Sequence, residues 1–278
     1  MRPEPTLNEL LCDRYLDATG FLEPQTGLGH LRSMARRGSC RSFAAKPVPL
    51  ALIDTLCAVA LAAPTKSDLQ QRDIVVLSDA KVRSRLAELV DGQPWVAAAP
   101  MMVVLCGNNR RQRILHDLKD IPFANDHLDA FFNATVDAGI ALGAFMTAAE
   151  AVGLGCCPIS AVRNNAEEVS NLLRLPDHVF PVAGLALGYP LEQQEISPRL
   201  PLRVTVHRNA FDETGLRGDI EAYGAARAAK QPYAVQRFVE AFGARDTYTW
   251  SDDKVRQYSR PERADFGAFV RSKGFSLK

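Results

Sequence analysis

The sequence predicts one layered core of the α+β class that carries a helical tail. Short apolar segments typical of strands have helical segments between them, but not in the strict alternation of a parallel sheet. Residues 128–152 form a long segment that is helical and apolar nearly all round, so it must be buried in a large core or against another subunit. From about residue 214 the chain is helical, charged and poor in β-branched residues.

Length and charge limit the classes of function. The 278 residues are 47% hydrophobic and allow one large domain or two small ones. A net charge of +1 gives no general affinity for nucleic acid or membrane. No uninterrupted apolar run approaches the roughly 20 residues of a spanning helix, and the first residues mix charges with prolines, unlike a secretory signal. We therefore expect a cytoplasmic protein.

The cysteines form no CxxC pair, and we expect small buried side chains rather than a metal site or redox pair. They stand at positions 12, 40, 57, 106, 156 and 157.

The first half of the chain alternates helix and strand signals. Helices are predicted at about 7–16, 31–37, 50–62 and 81–90, and strands at 73–79 and 100–107. Gly38 is placed to end the second helix. Leu52, Leu56 and Val59 recur at helical spacing and predict the buried stripe of the third.

The second half begins with a polar segment, 108–127, that we expect to be irregular. Beyond the long helix, strands are predicted at 153–162 and 180–190, and an extended stretch at 197–207. Asn165 and Glu168 have the spacing of a capping box that opens a further helix. Asp137 lies inside the long apolar helix and needs a hydrogen-bond partner there, because an unpaired buried carboxylate is costly.

The tail ends in a helix with one apolar side, formed by Phe266, Phe269 and Val270. Pro261 suits its first turn and Gly274 its end. Such a tail has too little core of its own, so we expect it to wrap the main body or a partner subunit.

The common catalytic motifs are absent from the sequence. GLGCCP at 153–158 resembles a dinucleotide fingerprint, but it follows a helix and has Pro158 where glycine is needed. There is no P-loop, no HExxH, no GxSxG and no histidine pair with ligand spacing. Because the sequence shows no constellation of acid, base, nucleophile or metal ligands, we expect a bound organic cofactor to carry out the reaction chemistry.

Three segments instead mix arginine or lysine with hydroxyl groups. They are RRGSCR at 36–41, APTKS at 63–67 and SPRLP at 197–201. The planar fork of arginine suits phosphates and carbonyl-rich heterocycles. The alternative for the arginine run is a solvated charged face.

The order of these and other segments resembles the flavin-dependent nitroreductase superfamily, most of all its NADPH-dependent nitroreductase and flavin reductase branch (NfsA/Frp-like). The resemblance runs from about residue 27 to the C-terminus, and residues 1–25 are similar to an N-terminal extension of some members. The segments are RRGSCRSF, AAPTKSDLQ, DGQPWVAAAP, VDAGIALGAFMTAAEAVGLG, ISAVRNNAEEVSNLLRLP, LALGYP, SPRLP and TWSDD.

The resemblance implies a mainly antiparallel sheet wrapped by helices in three layers, within an intertwined homodimer that holds FMN at the subunit interface. It divides the chain into an extension (1–26), an FMN-binding core (27–213) and a helical tail around the partner (214–278). NADPH would give a hydride to FMN, and a nitroaromatic, quinone or free flavin would accept two electrons in ping-pong order. No metal, nucleic acid or membrane takes part.

The resemblance also implies the residues of the cofactor site. The FMN phosphate and the polar edge of the ring would be bound by Arg37, Gly38, Ser39, Arg41 and Arg199. The ring would be contacted by Thr65, Lys66, Ser67 and Gln93, and by the backbone of Ile159, Ser160 and Ala161. Arg227 would hold the NADPH 2′-phosphate, its alternative being a solvated helix charge. No side chain is catalytic itself, because the flavin carries the chemistry and Arg41 tunes it.

Four positions depart from the family pattern. Lys66 stands where members often have a serine run, and Ser160 and Ala161 stand where they usually have Gly-Gly or Gly-Ala. Ser197 replaces a lysine whose charge Lys66 could supply. These departures keep three rivals open: a related flavoenzyme with dehydrogenase or flavin-cleaving chemistry, a flavin-binding protein without turnover, and an interaction protein for an acidic partner.

Overall fold

A computed structural model describes residues 4–16, 20–21, 24–90 and 93–278. The predicted loop after the first helix and the predicted turn before Gln93 lie partly outside these residues. The strands are β1 (Arg72–Leu77), β2 (Met101–Asn108), β3 (Gly155–Ile159) and β4 (Val179–Gly188). The helices up to β3 are α1 (Leu7–Tyr15), α2 (Leu28–Arg36), α3 (Leu50–Leu61), α4 (Ala80–Leu89), α5 (Pro94–Ala97), α6 (Arg110–Lys119) and α7 (Leu128–Ala151). The later helices are α8 (Ala166–Leu172), α9 (Leu202–Thr205), α10 (Leu216–Lys230), α11 (Val239–Phe242), α12 (Trp250–Gln257) and α13 (Phe266–Ser272).

The chain divides into two compact units. A sheet unit comprises Ser39–Gln194 and Arg263–Lys278, and a helical unit comprises Met1–Gly38 and Glu195–Glu262. The boundaries at residues 26 and 213 that the resemblance implies stay a prediction.

The sheet has the strand order β1-β2-β4-β3, and every neighbouring pair is antiparallel. The register of β2 against β4 shifts between Leu105 and Cys106. All residues of β2 and β4 are buried, because helices cover both faces of the sheet. The predicted α+β class with a mainly antiparallel sheet is confirmed.

Alternate side chains of β2 enter two separate cores, as the period of a strand requires. Met102 and Val104 pack with residues of α4, α5 and α8. Val103 and Leu105 pack with residues of α3 and α7, among them Phe145. The sheet unit therefore consists of helices, sheet and helices in three layers.

Two predicted features of the helices were wrong. The buried stripe of α3 is Ile53, Leu56 and Ala60, whereas Val59 is 53% exposed, because this helix is so apolar that spacing alone does not select a face. The polar segment 108–127 contains the helix α6, whose leucines and isoleucine point outward and so hide its amphipathic pattern.

Four local predictions also change. Asn165 does not cap α8; its side-chain amide donates to the carbonyl of Leu89 at 2.7 Å instead. The stretch predicted to be extended after residue 197 contains the short helix α9, and the strand predicted at 153–162 ends at Ile159 in a 3₁₀ turn, Ser160–Arg163. Helix α2 begins at Leu28 and ends at Arg36, one residue before Arg37.

The end of the chain packs inside the sheet unit through phenylalanines. Phe269 and Phe275 are buried with Val270 against Phe180 of β4, as the predicted apolar side of the last helix requires. Gly274 has φ +89°, and a Cβ there would lie 2.6 Å from Nε2 of His178. Only glycine suits this position, where the chain leaves α13.

Helix α7 is long and apolar enough to cross a membrane by length and composition alone, with a mean hydropathy of 1.3, although polar residues interrupt its apolar sequence. In the fold it is a core helix of the sheet unit, with Ala141, Phe145 and Ala149 fully buried against the sheet.

Candidate cofactor site

The segment Ser39–Arg41 is held by its central cysteine. Cys40 is fully buried, and its backbone N–H donates to the carbonyl of Cys156 in β3 at 3.0 Å. The contact is tight, because a Cβ on Gly155 would lie 2.6 Å from the Cys40 sulfur. In an extended backbone the two neighbours of an inward side chain point outward. Cys40 therefore presents Ser39 and Arg41 on the surface of the sheet unit.

Trp95 brings Arg41 and Gln93 together. The Arg41 guanidinium lies 5.6 Å from the centre of the Trp95 ring, and the indole N–H donates to Oε1 of Gln93 at 2.7 Å. Trp95 and Ala161 both pack against the core cluster that contains Ile159. One hydrophobic cluster and its Trp95 thus connect four of the predicted FMN contacts, which are Arg41, Gln93, Ile159 and Ala161.

The loop with Thr65, Lys66 and Ser67 is held by the buried carboxylate of Asp137. One oxygen accepts the backbone N–H of Lys66 at 3.1 Å, and the other accepts that of Gln71 at 2.9 Å. Asp137 is 1% exposed, and the expectation that it needs a partner is confirmed.

Between these two amides the backbone is strained. Ser67, Asp68 and Gln70 have φ values of 49°, 57° and 51°, in a region that residues other than glycine rarely adopt. The Lys66 side chain itself is exposed. Such strain persists only where the surrounding structure enforces it, and Asp137 does so from α7.

The segment Ile159–Ala161 passes from strand to 3₁₀ turn beside β4. Ile159 is buried and pairs with Gly184, whereas Ser160 is exposed. A Cβ on Gly184 would lie 2.9 Å from Val162, so the turn packs closely on β4. This close packing fixes the backbone of the predicted ring-contacting segment.

A cavity of about 640 Å³ lies within the helical unit, and we call it the cationic cavity. Its positive lining residues are Arg14, Arg37, Arg199, Arg227 and Lys254, and its aromatic ones are Tyr15, Tyr223, Tyr233 and Trp250. Among the lining residues that the structure describes, none is Asp or Glu. Three predicted residues, Arg37, Arg199 and Arg227, are therefore brought together here.

Backbone carbonyls, rather than carboxylates, hold the arginines. Arg199 donates from one guanidinium nitrogen to the carbonyls of Ser197 and Pro198 at 3.2 and 3.1 Å. The hydroxyl of Tyr223 donates to the same Pro198 carbonyl at 3.2 Å. Lys254, in contrast, is paired with Asp253 at 2.6 Å. Among the described residues, the hydrogen bonds of the Arg199 guanidinium thus go to neutral carbonyls and not to a carboxylate.

The aromatic side of the cavity surrounds Arg227. Its guanidinium lies 4.1 Å from the centre of the Tyr233 ring and donates to the carbonyl of Gln231 at 3.0 Å. Burial raises the pKa of Tyr223, against the nearby charges of Arg227 and Arg199, which lower it. Tyr223 therefore stays a neutral hydroxyl. Aromatic faces beside guanidinium groups suit a ligand that carries both a ring and a phosphate.

The donor set fits a phosphorylated cofactor. In the helical unit, several guanidinium groups line a cavity whose described lining contains no carboxylate, which suits a phosphate group. Sequence reasoning missed Arg14, Trp95 and Lys254. Of these three, only Trp95 could have been found from the sequence, because it is one of two tryptophans and lies two residues after Gln93.

The fold and the site define the class of protein. Residues 34–189 match the model of the nitroreductase family, and residues 197–278 match that of the nitroreductase family C-terminal domain. The chain belongs to the nitroreductase family.

Two relatives that match over most of the chain are named as an FMN reductase and a flavin oxidoreductase. The chain is 31% identical to an FMN reductase (NAD(P)H) of Bacillus subtilis, over 89% of this chain and 98% of that protein. It is 31% identical to the NADPH-flavin oxidoreductase of Vibrio harveyi, over 86% and 95% of the two chains. The structure of NfrA2 from B. megaterium superposes with a TM-score of 0.82 at 30% identity, over 90% of this chain and 98% of that one.

Replacing Asp137 by Asn should destabilise the protein. The amide keeps the volume but has one acceptor oxygen for two backbone N–H groups, so we expect a loss of about 2 kcal/mol in the free energy of unfolding. Urea unfolding measures this, and hydrogen exchange should quicken at the amides of Lys66 and Gln71. Asp54→Asn, on the exposed side of α3, is the matched control. Equal stability of the two variants would contradict the assigned role of Asp137.

Proposed function

We propose that this protein is an FMN-dependent oxidoreductase that uses NAD(P)H, with NADPH preferred, to reduce nitroaromatics, quinones or free flavin by two-electron ping-pong transfer. The observation that carries the proposal is the cationic cavity, where arginines gather around aromatic side chains without a lining carboxylate. The relatives named FMN reductase and NADPH-flavin oxidoreductase support it.

The residues divide the work of binding. Arg37, Gly38, Ser39 and Arg199 hold the FMN phosphate through guanidinium, backbone and hydroxyl donors. Arg41 and Gln93 bind the polar edge of the ring. The loop of Thr65, Lys66 and Ser67 and the backbone of Ile159, Ser160 and Ala161 line the ring.

Bound FMN supplies the redox chemistry, since it accepts a hydride from NADPH and gives two electrons to the acceptor. The protein supplies position, because hydride transfer requires donor and acceptor to be held near contact distance. Arg41 adds a positive charge at the polar edge of the ring, where charge develops on reduction.

The purified protein should therefore be yellow and show an FMN absorption spectrum. Addition of NADPH under argon should bleach the flavin band, and a nitroaromatic or a quinone should restore it. The measurement is a visible-absorbance titration. A colourless protein that takes up no added FMN would contradict the proposed function and favour an interaction protein.

Arg41→Ala should weaken FMN binding and slow flavin reduction together, because one guanidinium serves both. We expect about a tenfold change in each, the size of one charge-assisted hydrogen bond. Equilibrium binding and stopped-flow reduction measure the two effects. Arg85→Ala, an exposed arginine of α4 that pairs with Glu88, is the control and should change neither. Full FMN occupancy with unaltered reduction would reject this role of Arg41.

Arg227→Ala should raise the KM for NADPH about tenfold, because a charged partner of the 2′-phosphate is lost. The KM for NADH should not change, since NADH lacks that phosphate. Steady-state kinetics with both donors measure the difference. Arg217→Ala, on the exposed side of the same helix, is the control. An equal effect on both donors would assign Arg227 to the structure of the cavity instead.

The proposed enzyme is a homodimer that associates through α7. The described face of this helix exposes a stripe of large apolar side chains at four-residue spacing, formed by Leu128, Phe132, Val136 and Ile140. A Cβ on Gly139 or Gly143 would meet nothing within 4 Å in this chain, which leaves room for a second backbone. An apolar stripe of this length on a soluble protein is typical of an interface.

Sedimentation equilibrium should give twice the chain mass of 30.5 kDa. Val136→Asp should give the monomer, because it places a charge in the proposed interface. Val255→Asp, at a position 71% exposed on α12, should stay dimeric. A monomeric wild-type protein would reject the dimer.

The proposal includes a cytoplasmic location and the division into an extension (1–26), a core (27–213) and a tail (214–278) that wraps the partner. Limited proteolysis of the dimer and of the Val136→Asp monomer compares the exposure of that tail.

A further inference from the structure

Two cations of the cavity, Arg14 and Lys254, have no role in the proposed function, and of these Lys254 is paired with Asp253. Arg14 lies in the last turn of α1. It is outside both segments that match the family models, since these cover residues 34–189 and 197–278. Helix α1 is held on α2 by Leu7 and Leu10, which are buried with Ala35. Its far end is tied to α10, where Lys230 donates to the carbonyl of Asp13 at 2.7 Å.

The Arg14 side chain is 7% exposed and joins two segments of the cavity wall. Its Nε and one terminal nitrogen donate to the carbonyl of Ala35 at 3.1 and 2.8 Å, and that nitrogen also donates to the carbonyl of Arg37. The other terminal nitrogen donates to the carbonyl of Ser197 at 3.1 Å. Arg14 therefore fixes the end of α2 relative to the SPRLP segment.

The main chain of Arg14 makes the same connection. Its carbonyl accepts the backbone N–H of Arg199 at 2.7 Å. The guanidinium groups of Arg14 and Arg199 also donate to one shared acceptor, the carbonyl of Ser197. Two like charges are thus held side by side by a neutral oxygen.

This arrangement is costly unless an anion is present. Among the described residues, every hydrogen-bond acceptor of the Arg14 guanidinium is a neutral carbonyl, so none of these bonds pairs it with a carboxylate. Burial, followed by the charges of Arg199 and Arg37, lowers the pKa of Arg14. A bound phosphate would reverse the repulsion, because it attracts all three groups.

The residue at position 197 explains why a further cation is needed in this part of the cavity. The pattern that this segment resembles implies a lysine at this position, and Ser197 carries no charge there. We propose that Arg14 is a phosphate-binding residue, supplying from α1 the positive charge that Ser197 lacks. This inference rests on the proposed function, in which Arg37 and Arg199 hold the FMN phosphate.

The test compares FMN with riboflavin, which lacks the phosphate, in binding to the full chain measured by flavin fluorescence. Arg14→Met should weaken FMN binding about tenfold and riboflavin binding less than about twofold, because riboflavin makes no phosphate contact and shares only the smaller effect of the lost contacts in the cavity wall. Adding Ser197→Lys to Arg14→Met should restore the FMN affinity to within about threefold of wild type. Arg14→Lys, which keeps the charge but not the fork, should keep the ratio of the two affinities within about threefold.

Arg256→Met is the matched control. Arg256 is 4% exposed in the same unit and also donates to three backbone carbonyls, but it does not line the cavity. Its loss should leave the ratio of FMN to riboflavin affinity unchanged.

Three results would overturn the inference alone: FMN affinity that Arg14→Met leaves unchanged, an equal loss for both flavins, or a ratio that Arg14→Lys lowers as far as Arg14→Met does. A wild-type chain that binds neither flavin would overturn the proposed function, and this inference with it.

Discussion

The site depends on positive charge that neutral backbone holds in place. Arg14 and Arg199 bond to carbonyl oxygens at the end of α2 and in the SPRLP segment, and Tyr223 supports the same segment from α10. A carboxylate in these positions would neutralise the guanidinium groups and remove their attraction for phosphate. A carbonyl orients them and leaves their charge free, which is the condition that anion binding requires.

The sequence predicted the fold where apolar pattern and burial coincide. The strands β2 and β4 are apolar on both faces because both faces are covered, and the long apolar segment became α7. Prediction was wrong where the apolar side chains face outward. Leu115 and Leu118 of α6 are 53% and 72% exposed, so the segment looked irregular, and Val59 was assigned to a core that it does not enter.

The candidate site was predictable only in part, for a physical reason. Local concentrations of arginine and hydroxyl groups identified Arg37, Arg41 and Arg199. The groups that position such residues are distant in sequence: Asp137 contacts Lys66 across 71 residues, and Arg14 contacts Ser197 across 183. No local pattern records a contact of that kind, because either partner alone is an ordinary charged or polar residue.

The shared carboxylate of Asp137 also limits how this loop can vary. Its two oxygens bind the amides of Lys66 and Gln71, so the distance between those two amides is set by the width of a single carboxylate. A change in the number of residues between them would have to return the backbone to the same two points. Exchanges of side chain in this loop leave those points in place, whereas a change of length must rebuild the turn between them.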